Sequence, residues 1–341
     1  MPYDIIIVGS GAAGLSAGIY AGRYLMKTLI VRGEFGGETA KAGTIWNYPS
    51  TPGMDDYEIM QKMEGQAKES GAEFADGKLI DATNKDGCYT VLVQDSKEEK
   101  TFYAKTIIFA QGSERRRLGL PDEDRLTSKG VHYCVTCDGP LYGGKVVGMV
   151  GGGDASAKGV LHLADYVEKI YYIVRGDKLR AEPVNEVAMR KLGDKVVWLM
   201  DTSVLKLIGE KRLERVALSR EYNGTTELAI DGLFVEIGAK PDVAVPVSLG
   251  VTLDKLGYVD VDNMMRTNVP GIYAAGDAVN HFGQFKQTIT AAALGAVAAT
   301  SAYEYHKTHG ELCRVHLRPA ASSTYDVKSA MVDGTEVLTN N

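Results

Sequence analysis

Cysteine is scarce in this chain, with four in 341 residues, at positions 88, 134, 137 and 313. That is too few for a disulfide-stapled scaffold, so the expected setting is a reducing cytoplasm. There, two closely spaced cysteines are more often catalytic or metal-binding than structural. Positive charge is also short: 38 Lys and Arg against 44 Asp and Glu leave a formal net charge of −6. With no basic stripe beyond "RRR" at 115–117, a nucleic-acid footprint is excluded. No apolar run approaches the ~20 residues of a membrane span. The opening "YDIIIVG" has neither a basic leader nor a cleavage site, so no signal peptide is expected. What remains is ordinary globular composition, 45% hydrophobic and 24% charged. At ~100–200 residues per domain, the length suggests two domains, or three.

What is present is organised by glycine. "DIIIVG" reads as a short strand, and Gly9, Gly11 and Gly14 follow at GxGxxG spacing. A small-residue helix, "AAGLSAGIYAGRYL", and a second strand, "KTLIVRGE", complete a βαβ unit. Each glycine has a reason: Gly9 for the tight turn, Gly11 for room beside a pyrophosphate, Gly14 for close helix–strand packing. The helix N-terminus then offers free N–H groups and a positive dipole end. Glu34 follows Gly14 by 20 residues, where a carboxylate can bind a ribose hydroxyl. Together these features favour dinucleotide binding over a mere tight turn. From about residue 145, "GGKVVGMVGGGDASAKGVLHLADYVEKIYYIVRG" repeats strand, Gly-rich turn, helix and strand. "AKTIIFAQGS" and "IDGLFVEIGAKPD" read as strands that end such units, and "VPGIYAAGDAVN" with the following small-residue helix reads as a return to the first. The arrangement is discontinuous: one nucleotide domain, a second inserted, then completion of the first. From about 311 the chain turns polar and reads as a tail.

"YCVTCDG" at 133–139 is the chemical centre. Two cysteines separated by two residues close a small reversible disulfide ring. At a helix start one thiol becomes acidic enough for its thiolate to attack another disulfide. Zinc is the rival reading and needs two further ligands. Cys88, between "NKDG" and a strand, and Cys313, in the tail, form no second pair, and replacing either is expected to be nearly silent. His306, His309, Cys313 and His316 have ligand-like spacing. On one straight helix the outer two stand ~15 Å apart, too far to share an ion. A polar helix end is the expectation there, and no metal.

Beyond these features the sequence resembles the low-molecular-weight thioredoxin reductases to about residue 305. The matching segments stand in the family's order: "VGSGAAGLSAGIYAGR", "LIVRGEFGGETA", "NYPSTPG", "GVHYCVTCDGPLYGGK", "VGGGDASA", "TNVPGIYAAGD" and "KQTITAAALGAVAA". The resemblance implies an α/β protein of two Rossmann-like (three-layer ββα) nucleotide-binding domains, the second inserted into the first. Residues 1–116 would be the first part of an FAD-binding domain and 244–310 its second part. Residues 117–243 would form an NAD(P)-binding-like domain carrying the CxxC, and 311–341 a C-terminal tail. Gly9, Gly11, Ala13 and Gly14 would hold the FAD pyrophosphate region and Glu34 the ribose. Gly36, Gly37, Asn47 and Gly112 would lie along the cofactor. Gly276 and Asp277 would meet the ribityl-phosphate region, and Gln287, Thr288 and Ile289 would start the helix near the isoalloxazine. Cys137 would face the flavin and Cys134 would attack thioredoxin. Asp138 would be the acid–base group, and it also reads as a helix N-cap.

The second Gly-rich turn departs from the family pattern. Gly151 and Gly153 are present, but the sixth turn position is Ser156. Of the usual HRRxxxR, Arg175 and Arg180 remain, with Val174 and Gly176 at the other two positions. A 2′-phosphate loses charge-assisted bonds there. The donor therefore stays open among NADPH, NADH, ferredoxin and a reduced deazaflavin. The expectation is a cytoplasmic homodimeric flavoenzyme, with no nucleic-acid or membrane partner. It would pass electrons through FAD and the Cys134–Cys137 disulfide to a thioredoxin-like protein. The alternatives are a small-molecule dithiol oxidoreductase on the same scaffold and a non-enzymatic flavin redox sensor. The tail reads as a disordered terminus, or as a cover placing Tyr325 or His316 over the isoalloxazine.

Overall fold

The computed structural model describes residues 1–283, 285–311 and 313. Along the chain run β1 (Tyr3–Val8), α1 (Ala12–Arg23), β2 (Thr28–Arg32), α2 (Asp56–Glu69), β3 (Glu73–Asp76), β4 (Lys78–Lys85), β5 (Cys88–Gln94) and β6 (Glu99–Phe109). Then come β7 (Val131–His132), α3 (Val135–Asp138), β8 (Val146–Val150), α4 (Asp154–Leu163), β9 (Lys169–Ile173), β10 (Val196–Leu199), β11 (Gly232–Val235), β12 (Ile272–Ala274) and α5 (Thr288–Thr308).

Two sheets organise these elements. The first has the order β3-β2-β1-β6-β5-β4, with β12 also paired to β6. β1 is parallel to both neighbours, Ile7 lying opposite Ile30 and Ile108. A central parallel strand is covered on both faces, and Ile5, Ile6 and Ile7 are accordingly fully buried. β12 arrives after the second sheet has been completed, parallel to β6. α5 then packs on α1, and the small residues of both helices explain how closely. A Cβ on Gly295 would sit 2.0 Å from the Ala13 carbonyl oxygen. The second sheet, β7-β11-β8-β9-β10, is parallel throughout. An antiparallel ribbon, Ser113–Arg115 against Ala239–Pro241, links the two bodies.

Cys88 and Cys313 overturn the expectation that they form no pair: they are joined in a disulfide, with Cα atoms 4.8 Å apart. The cause is tertiary. α5 carries the chain back across the sheet, where His306 lies 3.6 Å from Asp4 and Tyr305 packs near Gly271. Cys313 meets Cys88 at the start of β5, and both cysteines are buried. The histidine stripe disperses as well, since His309 stacks on Tyr305 and Cys313 is in its bond. Among the described residues, no group of three or more His, Cys, Asp or Glu could hold a metal. His316 and Tyr325 lie outside the described residues. No described helix is long and apolar enough to cross a membrane.

Candidate functional site

The two Gly-rich turns open into one cleft of about 2230 Å³ between the sheets. On the first side, Gly9 has φ +111°, and a Cβ there would strike the Ala110 carbonyl oxygen at 2.3 Å. Gly14 approaches the Gly9 carbonyl so closely that a Cβ would lie 1.9 Å away. These two glycines serve the turn and the helix packing. Gly11 is different: its Cβ position meets only the Gly36 carbonyl oxygen, at 3.9 Å, and faces the cleft. α1 begins there with no side-chain cap, so its first N–H groups point at whatever fills the space.

Ala13, Glu34, Gly36, Gly37, Asn47, Gly112, Gly276, Asp277, Gln287 and Thr288 also line the cleft. Ile289 does not, and is 39% exposed. Asn47 Nδ2 donates to Gln287 Oε1 at 3.0 Å, which fixes the start of α5 against the loop from the first body. Gln111 donates to the Asp242 carbonyl, but its buried Oε1 has no partner among the described residues. Burial pushes the Asp277 carboxyl above the usual range, against the pull of Lys286. An uncapped helix end, an open glycine cradle and an orphaned acceptor all fit a flavin dinucleotide. Flavin released by heat is expected to run as FAD on chromatography. FMN would contradict the pyrophosphate cradle at Gly11.

The second side is built alike but charged differently. Gly151, Gly153, Arg175 and Arg180 line the cleft, and α4 also starts without a side-chain cap. Ser156 is fully buried, and its hydroxyl is engaged with the Gly153 carbonyl and the Tyr172 hydroxyl. It therefore offers nothing to a ligand. Val174 is buried, while Arg175 and Arg180 are exposed.

Cys134 and Cys137 are disulfide-bonded at the two ends of a turn. Cys134, not Asp138, stands at the N-cap of α3, where its Sγ accepts from the Cys137 N–H at 3.2 Å. Asp138 stands at the N-cap position of the 3-10 turn that follows, Gly139–Tyr142, but its side chain makes no capping hydrogen bond there. Its carboxylate turns instead to His132, 2.9 Å away. Val135 and Thr136 line the cleft, but the two cysteines do not, and Cys137 is exposed.

Sequence reasoning missed the polar bridge between the bodies. Arg115, in the ribbon, pairs with Glu38 at 3.0 Å and with Glu236, which follows β11. Burial raises the Glu236 pKa, and Arg115 opposes that rise. Lys41 joins Glu38 at 3.2 Å and Glu34 at 2.7 Å, and its carbonyl accepts from the Thr136 hydroxyl at 3.2 Å. Only the "RRR" run hinted at Arg115, and nothing in the sequence tied it to a glutamate 121 residues on.

The family described as pyridine nucleotide-disulphide oxidoreductase matches residues 3–295. A thioredoxin reductase of Listeria innocua is 35% identical over 306 residues, covering 89% of this chain and 93% of that protein. One from Bacillus subtilis is also 35% identical over 306 residues, covering 89% and 94%. The crystal structure of Lactococcus lactis thioredoxin reductase, in its FR conformation, superposes with a TM-score of 0.83 at 31% identity. That match covers 90% of this chain and 99% of that one.

Proposed function

We propose, for a chain that belongs to the pyridine nucleotide-disulphide oxidoreductase family and to its low-molecular-weight thioredoxin reductases, that the cleft would hold FAD and that Cys134–Cys137 passes electrons on to a thioredoxin-type disulfide. The observation that carries this reading is the disulfide itself: a four-residue ring at a helix start, with Asp138 beside it and Cys137 open to solvent. FAD would supply hydride and single-electron chemistry when bound. The chain's own part is to cradle its pyrophosphate at Gly11 and its ribose at Glu34. Cys134 attacks the partner's disulfide, Cys137 resolves the mixed disulfide, and Asp138 protonates the departing thiolate.

Geometry then demands a motion. In this arrangement the disulfide lies outside the cleft, so the unit of residues 117–243 must turn within the 1–116 and 244–310 frame to bring Cys137 to the flavin. The Thr136–Lys41 contact would break in that turn, and the Arg115 bridge to Glu236 crosses the same hinge. A homodimer in the cytoplasm completes the proposal.

The second turn disfavours one donor. With Val174 and Gly176 in place of a histidine and an arginine, Arg175 and Arg180 lack the paired guanidinium that grips a 2′-phosphate. NADPH is expected to reduce the bound flavin slowly, by on the order of 10²-fold or more relative to a member with the full arginine set. NADH, ferredoxin and a reduced deazaflavin remain as donors to be compared. Stopped-flow mixing under nitrogen measures each rate. Fast, saturable bleaching at micromolar NADPH would show that Arg175 and Arg180 suffice.

A further inference from the structure

His132 ends β7, two residues before Cys134, and its side chain is 4% exposed. Both ring nitrogens are engaged by ionisable side chains. Nδ1 lies 2.9 Å from Asp138 Oδ2, and Nε2 lies 2.7 Å from the Tyr142 hydroxyl. Phe234 of β11 stacks on the ring with centroids 5.3 Å apart, and Tyr142 meets both rings edge-on. A histidine that only fills a core needs no carboxylate partner. This one is tied to the side chain next in sequence to Cys137. The other charged groups nearby are Asp231 and Arg212, which act on the Tyr142 hydroxyl, while Phe234 brings no charge from β11. Burial raises the Tyr142 pKa, so the hydroxyl keeps its proton while it bonds the ring.

We propose that His132, itself held by the Tyr142 hydroxyl, is a positioning residue of the dithiol reaction that keeps Asp138 in place and returns a proton to it. The inference rests on the reading of Cys134–Cys137 as the redox pair and Asp138 as its acid. The steps balance. The Cys134 thiolate attacks one sulfur of the partner disulfide, a mixed disulfide forms, and the other partner sulfur leaves with a proton from Asp138. Cys137, giving up its proton, attacks Cys134 Sγ, and the second partner sulfur leaves and is protonated. The enzyme dithiol is oxidised and the partner disulfide reduced, with two electrons and two protons transferred. A carboxyl group alone is ordinarily ionised at neutral pH and has no proton to give. His132 Nδ1, 2.9 Å from Asp138 Oδ2, is the atom placed to hand that proton to it.

The test uses holoenzyme reduced anaerobically with dithionite, then mixed with either of two disulfides. An alkyl thiolate from a hydroxyethyl disulfide is a basic leaving group and needs the proton. An aromatic thiolate from dithiobis(nitrobenzoate) leaves without one. His132→Ala and His132→Asn are expected to slow oxidation by the alkyl disulfide by on the order of tenfold or more near pH 7. Both should match the unmodified enzyme with the aromatic disulfide. Tyr142→Phe should show a smaller loss of the same kind. His132→Asn keeps an amide donor for Asp138 but cannot pass a proton on, so it tests the inference even if the alanine variant fails to fold. Wild-type rates and pH profile in His132→Asn would overturn the inference, as would equal losses with both disulfides at every pH. If the unmodified enzyme is oxidised by neither disulfide, the redox reading of Cys134–Cys137 itself falls.

Discussion

Cys134→Ser is expected to abolish protein-disulfide reduction while leaving flavin reduction by the true donor intact. The loss should be on the order of 10³-fold or more, as for other enzymes deprived of a nucleophile. Without Cys134 no mixed disulfide with the partner forms, and the half-reaction that fills the flavin uses neither sulfur. Cys137→Ser should stop turnover equally, at the resolving step instead. The comparison is informative because the cysteines differ in setting: Cys134 is half-buried at the cap of α3 and Cys137 is exposed. Steady-state thioredoxin reduction and anaerobic flavin bleaching, measured on the same preparations, separate the two half-reactions. Unchanged turnover in either variant would remove the CxxC from the mechanism.

The second large effect is on stability. The Cys88–Cys313 bond closes a loop with a sequence separation of 225. Chain-entropy arguments put the stabilisation from so long a loop on the order of 5 kcal/mol, and native disulfides typically contribute about 2–5 kcal/mol. Cys88→Ser or Cys313→Ser should therefore lower the denaturant midpoint substantially while leaving the initial rate of thioredoxin reduction near that of the parent. Both sulfurs are buried, and neither residue lines the cleft. A midpoint equal to that of the unmodified chain would mean that α5 docks as firmly without the bond. This expectation reverses the one drawn from sequence, where both replacements appear silent.

The contrast between the two cysteine pairs shows what a sequence displays. Cys134 and Cys137 are legible because their chemistry is local: three residues apart, at a helix start, they are within reach of each other whatever the rest of the fold does. Cys88 and Cys313 meet because α5 returns across β6 and ends near Asp4, a consequence of packing that no local spacing encodes. The same division runs through the cleft. Gly9, Gly11 and Gly14 announce their turn because each answers a backbone constraint within one βαβ unit. Glu38, Arg115 and Glu236 come from three separate segments, and only the docking of the two bodies makes them a bridge. His132 was hidden for another reason. In "GVHYC" it reads as one more strand residue, and its partner Tyr142 lies beyond the short helix. Asp138 does stand at the N-cap of the turn Gly139–Tyr142, as an aspartate near a helix start usually does, yet its carboxylate turns to His132 instead of capping it.

The central claim is that electrons leave this chain through Cys134 to a protein disulfide, and trapping the covalent intermediate tests it most directly. Cys137→Ser holoenzyme, reduced and mixed with a thioredoxin lacking its resolving cysteine and activated as an aromatic mixed disulfide, should form a one-to-one adduct. Peptide mapping by mass spectrometry should place its bond at Cys134. The adduct should be released by a small dithiol and should be absent when Cys134 is also replaced by serine. No adduct, or one linked through Cys88 or Cys313, would contradict the account.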